Sequence, residues 1–100
     1  MFARASMYRA EDADKLVQGF EAVRAPLEQM DGFVHAYFMV DSAGGKGLSI
    51  TVWETEEALS ASAAKADELR KQGAETGGAS IESVENYEIR LTVGTPAASG

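Results

Sequence analysis

Four side chains in this sequence are of types that could bind a small molecule and act on it chemically. The sole histidine, His35, carries an imidazole, the side chain that most often serves as a general base. The guanidinium of Arg70 could stabilise developing negative charge, and Trp53 and Tyr37 offer aromatic surface. Plainer alternatives remain open: a histidine bonded to a backbone carbonyl, an arginine at a helix C-terminus near Asp67, and aromatic residues that only pack.

The stretch of residues 48–59 must position Trp53, because it reads as a strand that passes directly into a helix. Apolar and polar or aromatic residues alternate through residues 48–53, with the period of two that a strand shows when its two faces meet different surroundings. Thr55 offers a side-chain oxygen to the free N–H groups of the next helix, and Glu56 and Glu57 place negative charge at its positive end. The tryptophan therefore lies at a strand-to-helix junction.

The elements before this junction are a strand, a helix and a second strand. Residues 2–8 alternate small apolar with larger polar side chains, which predicts a short strand. Acidic residues then open a helix with an apolar stripe at helical spacing: Leu16, Val17, Phe20, Val23 and Leu27. Pro26 cannot donate a hydrogen bond to Ala22, so we expect the regular helix to end near Arg24 and residues 27–30 to form an irregular turn. Residues 33–40 form the second strand, and residues 41–47 form a hairpin loop.

The hairpin predicts which side chains share a face. If Val40 lies opposite Leu48, then His35 lies opposite Trp53 and Tyr37 lies opposite Thr51. This pairing gives the hairpin one face that is aromatic and polar, and we expect that face to lie under the helices with His35 and Tyr37 beside Trp53. The other face is wholly apolar and carries Val34, Ala36, Phe38, Val40, Leu48, Ile50 and Val52.

After the junction we expect a second helix and a long final strand. The helix runs from residue 56 to about residue 72, ends before Gly73 and buries a stripe of mostly small residues: Leu59, Ala63, Ala66 and Leu69. A loop of residues 73–80 leads to a strand of residues 81–93. Residues 1–93 thus form one domain, and residues 94–100 form a small-residue tail that frays.

The resulting order, β-α-β-β-α-β, predicts an α+β fold of the ferredoxin-like type, an antiparallel sheet with two helices on one face. The helices cover only that face. The apolar face of the hairpin would then lie in water in a monomer, so we expect a twofold homodimer that presses two such faces together.

Composition narrows the classes of partner and chemistry. A net charge of −7, spread over both helices, argues against nucleic acid and anionic membranes as partners. The chain has no cysteine and one histidine, so it offers no disulfide, no thiolate and no multi-histidine metal site. We find no secretion signal and no stretch of membrane-spanning length, and we expect a soluble, cytoplasmic protein.

From Phe2 to about Val93 the chain resembles the antibiotic-biosynthesis-monooxygenase superfamily of dimeric α+β barrels. The markers are Gly32-Phe33 at the start of the second strand, the stretch Thr51-Val52-Trp53-Glu54-Thr55 followed by Glu57-Ala58-Leu59, and Leu69-Arg70 late in the second helix. Members include cofactor-independent oxygenases of polyketide phenols and quinols, haem-degrading monooxygenases, and proteins without known activity.

The resemblance implies a pocket only in part. Trp53 and Arg70 match the tryptophan and the arginine that line the substrate pocket of the polyketide oxygenases. Ser49 stands where that group has an asparagine, and Leu59 stands where it has a tyrosine. We nevertheless include Ser49 and Leu59, with Trp53 and Tyr37, among the candidate substrate-binding residues.

The haem degraders match less well. Their first-strand asparagine falls near Arg4, and their second-helix tryptophan and histidine fall near Ser62 and Lys71, so no iron ligand remains. Haem degradation is therefore disfavoured.

Three hypotheses follow. The first is a cofactor-free oxygenase that needs no metal, in which His35 and Arg70 act on a phenol or quinol in a pocket between helices and sheet, and the carbanion reacts with dioxygen. The second is a non-catalytic homodimer that binds a small ligand. The third is a structural module whose pocket is filled by its own side chains.

Overall fold

The chain folds into six elements in the predicted β-α-β-β-α-β order. The structure is a computed structural model that describes residues 1–94, so the predicted tail lies almost wholly outside the described residues. The elements are β1 Phe2–Ala10, α1 Ala13–Glu28, β2 Phe33–Asp41, β3 Lys46–Trp53, α2 Glu56–Thr76 and β4 Ala79–Glu88. This order confirms the ferredoxin-like α+β fold.

The four strands form one antiparallel sheet in the order β2-β3-β1-β4. Both helices pack against the same side of the sheet, which we call the helix face. The side chains of Arg4, Ser6 and Tyr8 on β1 lie on this face. The opposite side, which we call the open face, carries Ala3, Ala5, Met7, His35, Tyr37, Met39, Leu48, Ile50 and Val52. The side chains that alternate in residues 2–8 thus lie in turn on the covered helix face and on the uncovered open face.

Helix α1 begins at a capped residue and continues through its proline. The Asp12 carboxylate accepts a hydrogen bond from the backbone N–H of Lys15 at 3.2 Å. The prediction that the helix ends near Arg24 is wrong, because it runs through Pro26 to Glu28. Proline costs one backbone bond, and the extra turn buries Leu27 in the core, which offsets that cost.

Helix α2 also runs further than predicted. Thr55 caps it by accepting from the N–H of Ala58 at 3.0 Å, as expected, but the helix passes Gly73 and ends before Gly77. Gly73 lies inside the helix because α1 crosses there: a Cβ at Gly19 would overlap the Gly73 carbonyl oxygen. The buried stripe is displaced as well, since Ser62 is buried whereas Ala63 is exposed.

The register of the hairpin is one residue away from the predicted one. Asp41 pairs with Lys46 across a four-residue turn, in which the Asp41 side chain accepts from the N–H of Gly44 at 3.0 Å and Gly45 has a positive φ of 63°. The turn therefore sets His35 opposite Val52 and Tyr37 opposite Ile50. Because side chains alternate, this shift exchanges the two faces of β2: Ala36 and Phe38 join the helix face, and the predicted apolar open face is wrong in its β2 half.

Strand β4 is shorter than predicted. It ends at Glu88, and the last sheet-like bond joins the N–H of Ile89 to the carbonyl of Met1 at 2.9 Å. Beyond that point β1 offers no further residues for pairing. Leu91 and Val93, expected in the strand, are accordingly 81% and 88% exposed.

The core beneath the helices is divided into two apolar clusters. One contains Tyr8, Ala10, Leu16, Phe20 and Ala74, and the other contains Val23, Leu27, Trp53, Leu59 and Leu69. The prediction that Trp53 faces the helices is therefore confirmed. Among the described residues, neither helix is both long and apolar enough to cross a membrane.

Candidate functional site

A small cavity lies where the two apolar clusters meet, between the helices and the sheet. Its walls are mostly apolar, and the lining residues with polar side-chain groups are Arg4, Ser6, Tyr8, Ser49, Thr51, Trp53 and Arg70. The volume is about 40 Å³. An apolar cavity of about 150 Å³ holds one benzene molecule, so this cavity accepts water but not an aromatic ring unless a wall moves.

Trp53 forms one wall and is held rigidly. It is fully buried, its indole N–H donates to the hydroxyl of Thr51 at 3.0 Å, and its ring meets Phe33 edge-to-face at 5.7 Å. The hydrogen bond satisfies the one polar group that a buried tryptophan carries. The indole therefore presents a fixed aromatic surface to the cavity.

Arg70 reaches the cavity instead of extending into solvent. Its side chain is only 8% exposed, its Nε donates to the hydroxyl of Ser6 at 3.1 Å, and an Nη donates to Asp67 at 3.0 Å. Ser6 lies on β1 opposite Ser49 of β3, so the sheet fixes the inner end of this contact. Arg70 therefore lines a pocket, as expected. Its ion-pair partner, Asp67, is half-exposed and is not part of the cavity wall.

Arg4 is a second cation in the same cavity. It is 5% exposed, and it donates to the backbone carbonyl of Leu59 at 2.9 Å and to the hydroxyl of Ser62 at 3.2 Å. Its Cζ atom lies 5.9 Å from the centre of the Trp53 ring, within range of a cation–π interaction. Burial lowers the pKa of Arg4 from its ordinary value, and the positive charge of Arg70 acts in the same direction.

The remaining candidates fall in different places. Ser49 lines the cavity and shares a hydrogen bond of 3.2 Å with the hydroxyl of Tyr8. Leu59 packs in the cluster around Trp53 and contributes its carbonyl oxygen, which holds Arg4. The backbone of Leu59 thus holds the Arg4 guanidinium in place.

His35 and Tyr37 do not lie beside Trp53, and that prediction is wrong. Their rings pack against each other edge-to-face at 5.3 Å on the open face, because the hairpin register places them opposite Val52 and Ile50. Tyr37 is 42% exposed. Neither ring lines the cavity, so an imidazole base for a ligand held there is missing from its walls.

A larger groove adjoins the cavity. It runs between α1 and β2, has a volume of about 550 Å³ and is bordered at one side by His35. Phe20, Leu27 and Phe38 line both spaces, so these side chains form the wall between them. Phe38 lies on an edge strand, is 37% exposed and packs on Phe20 with their ring centres 4.8 Å apart.

The sequence left the roles of Arg4 and Asn86 open and did not place Ser6 or Tyr8 in the site. Arg4, Ser6 and Tyr8 lie on every second position of a strand whose other face is small and apolar, and all three are buried. A polar triplet on the covered side of a strand is the signal that could have identified them. Asn86 pairs with Arg4 across β1 and β4, but its side chain is exposed and does not line the cavity.

The walls can stabilise negative charge but offer no strong base. Among the described residues, no aspartate, glutamate, histidine, cysteine or methionine lines the cavity, and no cluster of acidic, histidine or cysteine side chains could hold a metal ion. Haem iron is usually held by histidine, cysteine, methionine or tyrosine, and here only Tyr8 is of such a type, with its hydroxyl already bonded to Ser49. The walls of this cavity therefore offer no free ligand for haem iron, and the one histidine borders the adjoining groove.

Comparison with known proteins agrees with this architecture. The family model described as antibiotic biosynthesis monooxygenase matches residues 3–72. No curated protein sequence matches the chain.

Three similar solved structures show the same fold. SnoaB, a cofactor-independent oxygenase from Streptomyces nogalater, is 17% identical, with a TM-score of 0.70 over 92% of this chain and 95% of that one. A monooxygenase from the gene ActVA-Orf6 of Streptomyces coelicolor, in complex with Nanaomycin D, is 13% identical, with a TM-score of 0.67 over 95% and 92%. The haem degrader MhuD from Mycobacterium tuberculosis, with two haems in its active site, is 19% identical, with a TM-score of 0.70 over 94% and 100%.

Proposed function

Because the chain belongs to the antibiotic biosynthesis monooxygenase family, we propose that it is a cofactor-independent oxygenase of small aromatic substrates. The observation that carries the proposal is the meeting of Trp53 with two guanidinium groups, Arg4 and Arg70, in one cavity between helices and sheet. SnoaB is a cofactor-independent oxygenase with this fold, and the structure of the ActVA-Orf6 monooxygenase holds the ligand Nanaomycin D.

The cations supply the chemistry that such a reaction needs. A ring-activated CH₂ group, as in anthrone, loses a proton to water, and the negative charge spreads onto the carbonyl oxygen as an enolate. Arg70 and Arg4 stabilise that oxygen in a site with mostly apolar walls, where such interactions are strong. This makes the substrate more acidic, so that a protein base is not required at the reacting carbon.

Dioxygen is the oxidant, and the atoms balance without another reactant. The electron pair of the carbanion forms a C–O bond to dioxygen, and the resulting peroxide takes up one proton. Loss of water then leaves a carbonyl where the CH₂ group stood, so the substrate is oxidised and one oxygen atom is reduced to water. The buried Trp53 forms an apolar wall against which the reacting ring lies.

Substrate entry requires the cavity to widen. The volume of about 40 Å³ is too small for a ring, whereas the adjoining groove of about 550 Å³ is not. Displacement of the Phe38 ring joins them and places a planar substrate between Phe20 and Trp53. The cations then lie at the inner end of the enlarged site.

The test is oxygen consumption with anthrone as the substrate. The native protein is expected to raise oxygen uptake above the rate of anthrone in buffer, and Arg70→Gln is expected to lower the catalysed rate by about 10²-fold, the usual effect of losing one charge-stabilising donor. Lys71→Gln is the matched control: it removes the neighbouring cation on α2, which also bonds to Asp67 but is 70% exposed. Equal rates for native protein and Arg70→Gln would contradict the proposal.

Non-catalytic binding of an aromatic ligand is the second candidate. The missing base in the cavity walls favours it, since His35 lies on the open face. Both candidates predict that an aromatic ligand binds beside Trp53. Only the first predicts the loss of dioxygen from solution, so turnover separates the two.

The proposal extends to assembly as a homodimer through the open face. Met7, Tyr37, Met39 and Tyr87 are between 41% and 52% exposed there, and Leu48 and Ile50 lie beside them. This apolar surface is large for a small domain in water. A second copy of the chain, related by a twofold axis, offers the same surface and would cover it.

A further inference from the structure

The arginines of this chain differ in how their charge is balanced. Arg9, Arg24, Arg70 and Arg90 each form an ion pair with a glutamate or an aspartate. Arg4 is far more deeply buried than Arg9, Arg24 or Arg90, and within residues 1–94 no carboxylate lies within ion-pair distance of it. Arg4, at the position where burial makes a charge most costly, thus has no carboxylate to balance it.

The partners of Arg4 are neutral oxygen atoms. They are the carbonyl oxygen of Leu59 and the hydroxyl of Ser62, and that hydroxyl itself donates to the same carbonyl at 2.7 Å. An arginine stays protonated in a protein and has five N–H donors, so these contacts hold the guanidinium in place without neutralising it. A buried cation without a counter-ion is expensive, and an anion that enters the cavity would offset that expense.

The surroundings favour an anion over any other ligand group. The protein carries a net charge of −7, yet the cavity wall holds Arg4 and Arg70 and, among the described residues, no acidic side chain. Asp67, which balances Arg70, is not part of that wall. The part of a ligand that enters the cavity therefore meets positive charge only, whereas Glu21 and Glu28 line the adjoining groove.

The aromatic wall lies beside the same cation. The Arg4 Cζ atom is 5.9 Å from the centre of the Trp53 ring, so a flat ring against the indole can carry a charged substituent to the guanidinium. We infer that Arg4 makes this cavity specific for aromatic anions, that is, for rings that bear a carboxylate or an ionised hydroxyl. This inference rests on the proposed aromatic site and adds the substrate class.

The experiment compares two probes of the same shape by isothermal titration calorimetry at pH 7.5: 2-naphthoate, which is ionised, and 2-naphthamide, which is neutral. Hydrogen bonds to charged groups are roughly twice as strong as neutral ones, so the native protein is expected to bind the anion at least about tenfold more tightly. In Arg4→Gln, which keeps hydrogen-bonding capacity but not the charge, the ratio is expected to fall to about one. Arg4→Lys should retain part of the preference.

Arg9→Gln is the matched control, because Arg9 lies on the same strand but is 73% exposed and paired with Glu82. It should leave the ratio of the two affinities unchanged. The comparison of the probes on the native protein needs no variant, so it stands even if Arg4→Gln does not fold.

Equal affinities for the two probes would overturn the inference and leave the aromatic site in place. Failure of both probes to bind would overturn the inference and the aromatic site together. A preference for the anion that depends on Arg4, without oxygen uptake on any substrate, would support the inference and contradict only the proposed oxygenase activity.

Discussion

The close crossing of α1 and α2 sets the height of the cavity, and Gly19→Ala tests it. A Cβ at Gly19 would overlap the Gly73 carbonyl oxygen and would lie 3.0 Å from the Gly77 nitrogen, with backbone atoms on the other side that cannot rotate away. The helices must therefore separate by roughly 1 Å to admit one methyl group. Gly73 also lines the cavity, so the same separation of the helices enlarges the cavity.

Two opposing effects determine the change in stability. Overpacking in a core costs about 1–3 kcal/mol, and here the obstacle is backbone, which places the cost near the upper end. Alanine is favoured over glycine inside a helix by about 1 kcal/mol. The expected net loss in unfolding free energy is therefore about 2 kcal/mol, equivalent to a fall in Tm of roughly 8–16 °C for a domain of this size.

The assay is urea unfolding followed by the fluorescence of Trp53, the sole tryptophan, which is fully buried. Gly73→Ala provides a graded comparison, because its Cβ would meet the Gly19 oxygen at 3.2 Å and the gain in helix propensity is the same. Gln18→Ala, at an exposed position on α1, is the control without overlap. A Gly19→Ala protein as stable as Gly73→Ala would refute the argument that the helix crossing is sterically limited.

Four further changes test other parts of the structure. Phe38→Ala should join cavity and groove and raise the affinity for naphthoate several-fold in calorimetry. His35→Ala should retain most of the anthrone rate, because His35 borders the groove but does not line the cavity that holds Arg4 and Arg70; a large loss of rate would identify His35 as the base. Ile50→Glu should give monomer or aggregate in light scattering, whereas Lys65→Glu should not. Arg4→Met should raise the unfolding free energy by about 1 kcal/mol in urea, since Ser62 still bonds to the freed carbonyl.

The elements of the fold were predictable because their signals are local. Thr55 caps α2 from the position that the sequence identifies, the acidic residues that open α1 include its cap Asp12, and the alternation in residues 2–8 predicted a strand with two different faces. The ends of α1, α2 and β4 were not predictable in the same way. They depend on tertiary contacts, such as the crossing of Gly19 with Gly73 and the end of β1 as a partner for β4.

The candidate site was predictable only where it does not depend on strand register. Trp53 and Arg70 lie on β3 and α2 at positions that face the cavity whichever way the hairpin pairs. The placement of His35 and Tyr37 depended entirely on the pairing of β2 with β3, and a register one residue away from the assumed one moved both to the opposite face. The sequence shows which residues of one strand alternate between its two faces, but the turn determines which residues of two strands lie opposite each other.

The same turn explains why the cavity is lined by cations and lacks a base. With Phe38 in place of Tyr37 under the helices, the β2 side of the cavity became an aromatic wall, and polar groups enter from β1, β3 and α2. Those groups satisfy one another: Ser6 with Arg70, Tyr8 with Ser49, and Ser62 with Arg4. What remains unbalanced after this pairing is the charge of Arg4, at the junction of the two apolar clusters. A domain of this size has little stability to spare. The unbalanced charge of a buried cation therefore points to a ligand that carries the opposite charge.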